Sequence, residues 1–318
     1  TIASTRVSHK LVSEKEKLLE VSKTTNKPIM FWSYTLPHQE SAQVLAETGF
    51  PLFTDLRNCT KTIATMHDYA VYRDKFLKTR KTSSNRKQYP EELLNLIKNA
   101  PENIVEYKAM SILLTAGIKT QKSILVQSED EAILAAKTIG KAVALKVQSQ
   151  DIPHKSEAGG VVLNIATHND VGQHFKSMHS VISQDFPRAI IDGFLIQEMS
   201  EPGLEIILGI NNTEGFGPIL MVGFGGIHVE KTKDVAFAPV PLGEDDCNQL
   251  LKKLKGSVLL DADKYDVPAL INLMTALSDF AESTSDYIRE IDLNPVLVHS
   301  KGQGVTVIDA LMFKHQQH

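Results

Sequence analysis

Residues 143–165, VALKVQSQDIPHKSEAGGVVLNI, place several chemically capable side chains between two apolar segments. Lys146 lies near the end of the first segment, where a single cation could point into a cleft and meet phosphate oxygens. Gly159 and Gly160 would let the backbone approach a ligand, because a Cβ there would hold the peptide N–H groups away. Each feature also has a purely structural explanation, since strand-end lysines are usually solvated and Gly-Gly often forms only a hairpin turn. The stretch is therefore a candidate phosphate site that needs support from the rest of the chain.

Two glutamates and a glycine pair form a second group of candidates. Glu198 lies near the end of the predicted strand FLIQEM, and Glu205 begins the predicted strand EIILGI seven residues later. A glutamate beside strand backbone can bind the edge of an adenine or a ribose, although alone it is only a surface charge. The segment GPILMVGFGGIHVEKTKDVAF adds Gly225 and Gly226, which we count as candidate cofactor-binding positions.

The segment REIDLNPVLV carries a possible metal site. Glu290, Asp292 and Asn294 alternate along a predicted strand, so their side chains should share one face. Asp309 falls in the next predicted strand of the same hairpin. Asn294 and Asp309 would supply the hard oxygen ligands that Mg²⁺ prefers, with waters and nucleotide phosphates completing the octahedron. Carboxylates buried on a strand face without a cation would be costly, which favours the metal interpretation.

The overall composition narrows the class of protein. The chain has 318 residues, of which 42% are hydrophobic and 23% charged, as in an ordinary globular protein of two or three domains. Its net charge of −4 gives no electrostatic support to a general nucleic-acid-binding role. Cys59 and Cys247 are far apart and belong to no Cys-x-x-Cys motif, which indicates reduced thiols and a cytoplasmic protein. No apolar run approaches the roughly 20 residues needed to span a bilayer.

The first part of the chain alternates predicted helices and strands. Helices are predicted over 12–25, 37–49 and 58–71, with short apolar strands at 27–34 and 50–54, and this alternation is typical of a parallel sheet. The piece is too short for a complete doubly wound domain and the chain starts with Thr1, so we expect further sequence upstream. Residues 76–92 are basic and lack apolar periodicity, which predicts a solvated linker after a domain at 1–75.

The remaining residues, 93–318, mix helices with many strands. Helices are predicted near 91–99, 103–116, 128–139, 168–184, 244–254 and 266–283. Ser128 is a suitable N-cap with Glu131 three residues later, and Gly140 is a suitable stop. Strands are predicted at the apolar segments SILVQ, AVALKV, FLIQEM, LEIILGINN, ILMVGFG, AFAPVPL, IREIDLNPVLV and VTVIDALMF. The pattern predicts an α/β protein.

Residues from about 103 to 315 resemble the ATP-grasp domain of the NDP-forming acyl-CoA synthetases, the superfamily of ADP-forming acetate–CoA ligase and succinyl-CoA synthetase. The resemblance rests on five motifs in the same order and spacing: ALKVQSQDIPHKSEAGGV, LIQEMSEPGLEIILGI, FGPILMVGFGGIHVEKTKDVAF, EIDLNPVLV and VIDA. Residues 26–75 resemble the end of that superfamily's flavodoxin-like CoA-ligase domain. The resemblance implies an ATP-grasp fold with two α+β lobes, about 93–195 and 196–318, preceded by part of a flavodoxin-like parallel-sheet domain.

The resemblance also implies an activity. Members of the superfamily join a carboxylic acid to coenzyme A with ATP and Mg²⁺, through an acyl phosphate and a phosphohistidine. This chain would then be the nucleotide-binding, phosphate-transferring part. Coenzyme A would be bound mainly by upstream domains, present in the same chain or as a separate subunit of a homo- or hetero-oligomer.

The matching positions imply individual roles. Lys146 would hold nucleotide phosphates, Glu198 and Glu205 would contact adenine and ribose, and Asn294 with Asp309 would bind Mg²⁺. His154 falls on the histidine of the family's His-Lys-Ser-Asp/Glu motif, which is proposed to carry phosphate near the nucleotide. A neutral imidazole is nucleophilic near pH 7, and its phosphoramidate can pass phosphate onward. Lys155 and the Gly-Gly amides would offset the charge of the transferring phosphate.

Some positions depart from the family pattern. Met110 stands where the family has its first nucleotide-contacting lysine, although Lys108 is nearby, and Ala238 stands where arginine is usual. The segment KGSVLLDADKYD replaces an Arg-Gly-rich segment around 256–266. Lost arginines can lower a phosphoryl-transfer rate by several powers of ten. Lys155, Lys231 and Lys233 are candidate substitute cations.

Two further functional hypotheses remain open at this point. The chain could be a non-catalytic regulatory ATP-grasp module of a larger acyltransferase-type protein, although an intact His154 is unexpected there. It could also be an ATP-grasp carboxylate–amine ligase, which the CoA-ligase-like residues 26–75 argue against.

Overall fold

The structure is a computed structural model that describes residues 8–82, 88–152, 155–213, 215–226 and 234–316. The chain divides into two compact units, residues 1–85 and residues 86–318. His154, Lys231 and Lys233, which the sequence singles out, lie outside the described residues. No described helix combines the length and apolar character needed to cross a membrane.

The first unit contains α1 (His9–Ser13), α2 (Lys15–Thr24), β1 (Phe31–Trp32), α3 (Gln39–Glu47), β2 (Leu52–Phe53) and α4 (Leu56–Thr82). β1 and β2 are parallel, with Phe31 opposite Leu52. Phe31, Leu45 and Phe50 form its buried core. The alternating helices and short parallel strands agree with the pattern predicted for this region.

Helix α4 is longer than the sequence pattern predicts. It continues to Thr82, through residues 76–82 of the predicted linker. Lys and Arg, which are frequent in this stretch, have a high intrinsic helix propensity and need no apolar periodicity to continue a helix. The lack of apolar periodicity therefore does not mark the end of this helix.

The second unit holds the remaining elements. Its helices are α5 (Glu91–Asn99), α6 (Glu106–Thr115), α7 (Glu129–Ile139), α8 (His168–Asp185), α9 (Glu244–Lys252) and α10 (Val267–Ser283), with a 3₁₀ turn at Ser257–Leu259. Its strands are β3 (Asn103–Ile104), β4 (Ser123–Val126), β5 (Val143–Gln148), β6 (Val161–Ile165), β7 (Gly193–Glu198), β8 (Leu204–Thr213), β9 (Gly217–Phe224), β10 (Val235–Pro239), β11 (Ile288–Val298), β12 (Val305–Val307) and β13 (Ala310–Lys314).

The smaller sheet of this unit has the order β4-β7-β5-β6 and is antiparallel throughout. Helices α7 and α8 cover one face, where Leu145, Val147 and Ile196 are buried among apolar helix side chains. The Ser128 hydroxyl accepts a hydrogen bond from the Glu131 N–H, and Gly140 ends α7 in a left-handed conformation. The cap and the stop of α7 are as predicted.

The larger sheet has the order β10-β9-β8-β11-β13-β3, and β12 also pairs with β11. Helix α10 packs against it and buries Phe280 completely, with Tyr89 meeting the Phe280 ring edge-on at 5.7 Å. The long strand β11 pairs with β8 on one side and with β13 on the other. This places the segment REIDLNPVLV at the centre of the sheet.

The boundary between the two lobes differs from the prediction of 195/196. Leu93, Ile104, Leu113 and Ile118 belong to the core of the larger sheet, because β3 pairs with β13 and α6 packs beside it. Residues 93–118 are thus part of the second lobe, although they come first in sequence. The end of the smaller sheet is Glu198, so β7 runs across the predicted boundary.

Phe280 tests the core of the larger sheet. Phe280→Ala should lower the free energy of unfolding by about 3–5 kcal/mol, because it leaves a cavity in a fully packed site. Phe216→Ala is the matched control, since Phe216 is 79% exposed and should cost at most about 0.5 kcal/mol. Urea unfolding followed by circular dichroism measures both, and equal effects would contradict this account of the core.

Candidate functional site

A cavity of about 390 Å³ lies between the two sheets of the second unit. Its lining comes from the start of α6, the end of β5, the loop before β6, the middle of β11 and the region around β13. The lining residues include Asn103, Glu106, Lys146, Ser149, Gln150, Lys155, Ser156, Glu157, Asp292, Asn294, Asp309 and Phe313. Several residues far apart in sequence and predicted to act together therefore meet in one place.

A buried carboxylate organises the floor of this cavity. Glu106 is 1% exposed, and its two oxygens accept hydrogen bonds from Lys146 Nζ at 2.5 Å and Lys155 Nζ at 2.9 Å. Gln148 Nε2 donates to the second oxygen at 3.2 Å. One carboxylate thereby joins a strand lysine to a lysine of the His-Lys-Ser-Glu segment.

Glu106 was not among the residues that the sequence analysis selected. It begins α6, where the positive end of the helix dipole favours a carboxylate. A signal was present in its spacing, because Glu106, Ala109, Met110 and Leu113 share the helix face that is buried. A charged residue on an otherwise apolar helix face indicates a buried ion pair, and its partners become visible only in the fold.

Strand alternation directs Lys146 into the cavity. All six residues of β5 are buried, and Val143, Leu145 and Val147 point into the apolar core under α7 and α8. Lys146 therefore points to the opposite face, as does Gln148 two residues later. Lys146 is 6% exposed, so the predicted cation at the end of this strand is buried rather than solvated.

The charges around Glu106 control its ionisation. Burial by itself would raise the pKa of Glu106, but the charges of Lys146 and Lys155 and their hydrogen bonds hold the pKa below its ordinary value. The carboxylate is thus ionised at neutral pH, and two lysine ammonium groups compensate it in a nearly dry environment.

The candidate metal ligands also line the cavity. Asn294 and Asp309 are adjacent, since the Asn294 N–H donates to the Asp309 carbonyl at 3.2 Å, and Asp292 lies beside them on β11. Glu290 alternates with Asp292 on the less buried face of β11, as predicted, but it is not part of the lining. The predicted strand around Asp309 is interrupted, and this residue lies in the break between β12 and β13.

The carboxylates of this acidic group are destabilised as anions. Burial, reinforced by the charge of Glu106, raises the pKa of Asp309 to about 6, although Lys146 at 4.0 Å opposes the shift. Burial and the charge of Glu290 raise the pKa of Asp292. A nearby cation would relieve both carboxylates, which is the electrostatic condition that a metal site creates.

The charge balance of the lining fits a divalent cation. Its ionisable side chains are two lysines and four carboxylates, an excess of two negative charges when all are ionised: Lys146, Lys155, Glu106, Glu157, Asp292 and Asp309. A polyphosphate would be repelled from such a cavity unless a cation entered with it. Among the described residues no group of three or more His, Cys, Asp or Glu side chains forms a closed metal site. An open site with few protein ligands is the arrangement that Mg²⁺ uses with nucleotides.

The glycine pair before β6 has a packing function in the structure. A Cβ on Gly160 would lie 2.4 Å from Val147 Cγ1, and Gly159 has a φ of +68°. Their N–H groups donate within the turn, Gly160 to the Lys155 carbonyl at 2.7 Å and Gly159 to that of Ser156 at 3.3 Å. The amides predicted to face a ligand therefore hold the Lys155 segment against β5 in this structure.

The remaining candidates lie outside the cavity lining. Glu198 ends β7 and forms an ion pair with Lys141 at 2.6 Å. Glu205 lies on β8, and its carbonyl accepts from the Gly225 N–H at 2.7 Å. A Cβ on Gly225 or Gly226 would come within 2.8 or 2.9 Å of Glu205 atoms, so these glycines fit closely around that glutamate. These four residues are not in the lining that contains Lys146 and Asp309.

The departures from the family pattern have local explanations. Met110 is 3% exposed in the core of the larger sheet, where an apolar side chain packs well. Lys108 is no replacement in the cavity, since it points to Asp192 at 3.9 Å and lies over the Tyr107 ring. Ala238 lies on β10 and packs against the same apolar core. Lys155 is the one substitute cation among the described residues that reaches the cavity.

A larger hollow of about 740 Å³ runs along α5 and α6, beside Leu96, Pro101 and Ile112. It is more open and more apolar, and the cations and oxygen ligands described above do not converge on it. Binding sites for charged small molecules need a few convergent polar groups, so the smaller cavity is the better candidate.

Comparison with known proteins shows which family the chain belongs to. Residues 95–313 match the ATP-grasp domain family. The chain is 36% identical over 211 residues to acetate–CoA ligase [ADP-forming] II subunit beta of Pyrococcus furiosus, covering 65% of this chain and 89% of that subunit. It is 31% identical over 299 residues to 4-hydroxybutyrate–CoA ligase [ADP-forming] of Nitrosopumilus maritimus, covering 92% of this chain but only 43% of that ligase.

A solved structure shows the same arrangement of elements. The dinucleotide-forming acetyl-coenzyme A synthetase 1 of Ca. Korarchaeum cryptofilum superposes with a TM-score of 0.60 and 30% sequence identity. The match covers 70% of this chain and 98% of that one. That protein was crystallised with coenzyme A and Mg-AMPPCP, with its phosphohistidine segment pointing towards the nucleotide-binding site.

The close fit at Gly160 can be tested by substitution. Gly160→Ala should destabilise the protein by about 1–3 kcal/mol, because the new Cβ would clash with Val147. Gly243→Ala is the control, since the nearest atom to its Cβ is 3.7 Å away and its φ is −88°. Combining Gly160→Ala with Val147→Ala should recover part of the loss, and a lack of recovery in urea unfolding would argue against this clash.

The ionisation of Glu106 predicts a pH-dependent contribution to stability. Because its pKa is lowered in the folded state, the stabilisation is present above the unfolded pKa of a glutamate and is lost as the pH falls through the folded value. Glu106→Gln should therefore cost about 3–5 kcal/mol at pH 7 by leaving two lysines without their anion. The difference from the wild type should shrink in acid.

The control for this prediction is Glu102→Gln, the same change at an exposed position four residues upstream. Free energies of unfolding measured in urea between pH 7 and pH 3 give the comparison. A wild-type-minus-variant difference that stays constant over this range would show that the Glu106 charge does not stabilise the fold.

Proposed function

Since the chain belongs to the ATP-grasp family, among the ADP-forming acyl-CoA ligases, we propose that it is the nucleotide-binding and phosphate-transferring part of such a ligase. The observation that carries the proposal is the cavity in which two lysines, an asparagine and two aspartates converge between the two sheets. The named ligases among its relatives support this over a purely regulatory module.

The overall reaction converts a carboxylic acid, coenzyme A and ATP into an acyl-CoA, ADP and phosphate. In the step proposed for this chain, an imidazole nitrogen of His154 attacks the γ-phosphorus of ATP. The N–P bond forms as the bond to the β,γ-bridging oxygen breaks, its electron pair leaves with ADP, and the other ring nitrogen releases its proton. The carboxylate of the acid then takes the phosphoryl group as the N–P bond breaks, which gives an acyl phosphate and frees the imidazole. The thiol of coenzyme A attacks the acyl carbon, loses its proton and displaces phosphate to give the acyl-CoA.

The lysines of the cavity would bind the nucleotide phosphates. Lys146 is held inside the cavity by the face of β5 on which it lies, and Lys155 reaches the same floor. Their ammonium groups would stabilise negative charge on the phosphates before and during transfer. Glu198, at the end of β7, and Glu205, near the start of β8, are proposed to contact the adenine and the ribose, with Gly225 and Gly226 close to Glu205.

Asn294 and Asp309 are proposed to hold Mg²⁺ through their side-chain oxygens, with Asp292 beside them. When bound, the ion would offset the negative charge of the polyphosphate. The two excess negative charges of the cavity lining are consistent with this proposal.

The acid and coenzyme A would be handled together with further domains. The chain spans less than half of the length of the 4-hydroxybutyrate–CoA ligase that it matches, whereas it covers most of a separate beta subunit. We infer that CoA-binding domains work with this chain, either fused to it or as another subunit, and that the assembly acts in the cytoplasm.

Phosphate transfer can be tested directly with [γ-³²P]ATP and Mg²⁺. The wild-type chain should take up acid-labile, base-stable label, and His154→Ala should remove it while Mg-ATP binding by calorimetry persists. His168→Ala, at the exposed start of α8, is the control and should label normally. ATP binding without any label would favour the regulatory module, and consumption of coenzyme A by this chain alone would refute the division of labour.

A further inference from the structure

We propose that Glu106 is a positioning residue that fixes Lys155, and with it the segment following His154, against the nucleotide lysine Lys146. The inference rests on the proposed function, because it assigns a part in phosphate transfer to a residue that need not touch the nucleotide. It concerns a carboxylate on the floor of the cavity that neither the nucleotide nor the metal proposal uses.

The first argument is the double contact. The two oxygens of Glu106 take different lysines, Oε1 accepting from Lys146 and Oε2 from Lys155. If Glu106 only neutralised Lys146, its second oxygen would not need to accept a hydrogen bond from Lys155. The bridge sets the separation of the two ammonium groups, one on a rigid strand and one on a loop.

The second argument is that both partners of the contact, Glu106 and the Lys155 segment, are held in place by further contacts. Glu106 belongs to a helix packed in the core of the larger sheet, and Gln148 also donates to it. The Lys155 segment is fastened to β5 by the bond from Gly160 to the Lys155 carbonyl and by the bond from Val147 to the Gly160 carbonyl. Glu106 therefore anchors the Lys155 side chain to the other lobe, while Gly160 anchors its backbone to its own.

The third argument concerns the sign of the charge. The cavity lining already has more carboxylates than lysines, so Glu106 opposes the binding of a polyphosphate on electrostatic grounds alone. A buried anion at this place is explained if Glu106 positions the two lysines, since the rate of phosphate transfer depends on where charges lie relative to the reacting atoms.

The test uses Glu106→Asp, which keeps the charge but is one methylene too short to reach both lysines. We expect the same dissociation constant for Mg-ATP and a roughly 10- to 100-fold slower labelling of His154 from [γ-³²P]ATP. Glu102→Asp, at an exposed position, is the matched control and should label at the wild-type rate. An unchanged labelling rate, or a loss of ATP affinity that parallels the loss of rate, would overturn the positioning role.

Glu106→Gln and Lys155→Met separate charge from geometry. If Glu106 acts through Lys155, adding Glu106→Gln to Lys155→Met should slow labelling no further than Lys155→Met alone. Multiplied effects in the double variant would contradict the proposal. Circular dichroism of each variant shows whether it is folded, and Glu106→Asp serves for the rate comparison if Glu106→Gln is not.

A footprinting measurement tests the contact without relying on phosphate transfer. Acetylation of lysines followed by mass spectrometry should show Lys155 more reactive in Glu106→Asp than in the wild type, relative to the surface lysine Lys141. An unchanged ratio would overturn the proposal. A wild-type chain that takes up no ³²P label would refute the proposed function. The acetylation measurement would then still test whether Glu106 contacts Lys155.

Discussion

An ionised carboxylate can remain in a protein interior only if nearby cations and donors replace the water that it has lost. Glu106 meets this constraint with Lys146, Lys155 and Gln148, which come from a strand and a loop of the other lobe. This arrangement joins Lys146 on β5 and the Lys155 side chain to helix α6 of the other lobe. It is the interaction around which the candidate site is built.

Several further contacts between the lobes near the cavity are polar as well. The Tyr107 N–H donates to Gln148 at 3.3 Å, and the Gln121 N–H donates to the Val307 carbonyl at 3.0 Å. Gln197 Nε2 donates to the Ile308 carbonyl at 2.9 Å, next to Asp309. Each lobe has its own apolar core, while directed hydrogen bonds and ion pairs define how the lobes meet at the site.

Much of the fold could be predicted from sequence, because local chemistry determined it. The capped helix α7 and the full extent of β11 follow from Ser128, Gly140 and the apolar alternation of REIDLNPVLV. The continuation of α4 to Thr82 was missed, since the sequence of this stretch has no apolar periodicity that would indicate a helix. The assignment of residues 93–118 to the second lobe was missed because β3 and β13 pair across some two hundred residues of sequence.

The candidate site was predictable only in part, for similar reasons. Lys146, Lys155, Asn294 and Asp309 were selected by residue type and motif, and the fold brings them together. Glu106 required knowledge of which helix face meets which strand. The role of Gly160 beside Val147 depends on a contact between non-neighbouring backbone and side chain, which spacing alone does not contain.

The polar character of the junction between the lobes has a thermodynamic consequence. An anion that binds Lys146 competes with Glu106 for the same ammonium group. Anion binding in the cavity is therefore thermodynamically coupled to the separation of the two lobes. Linkage is reciprocal: if the anion favours a wider separation of the lobes by releasing Lys146 from Glu106, then a wider separation must strengthen anion binding by the same factor. An apolar junction, indifferent to charge, would not have this coupling.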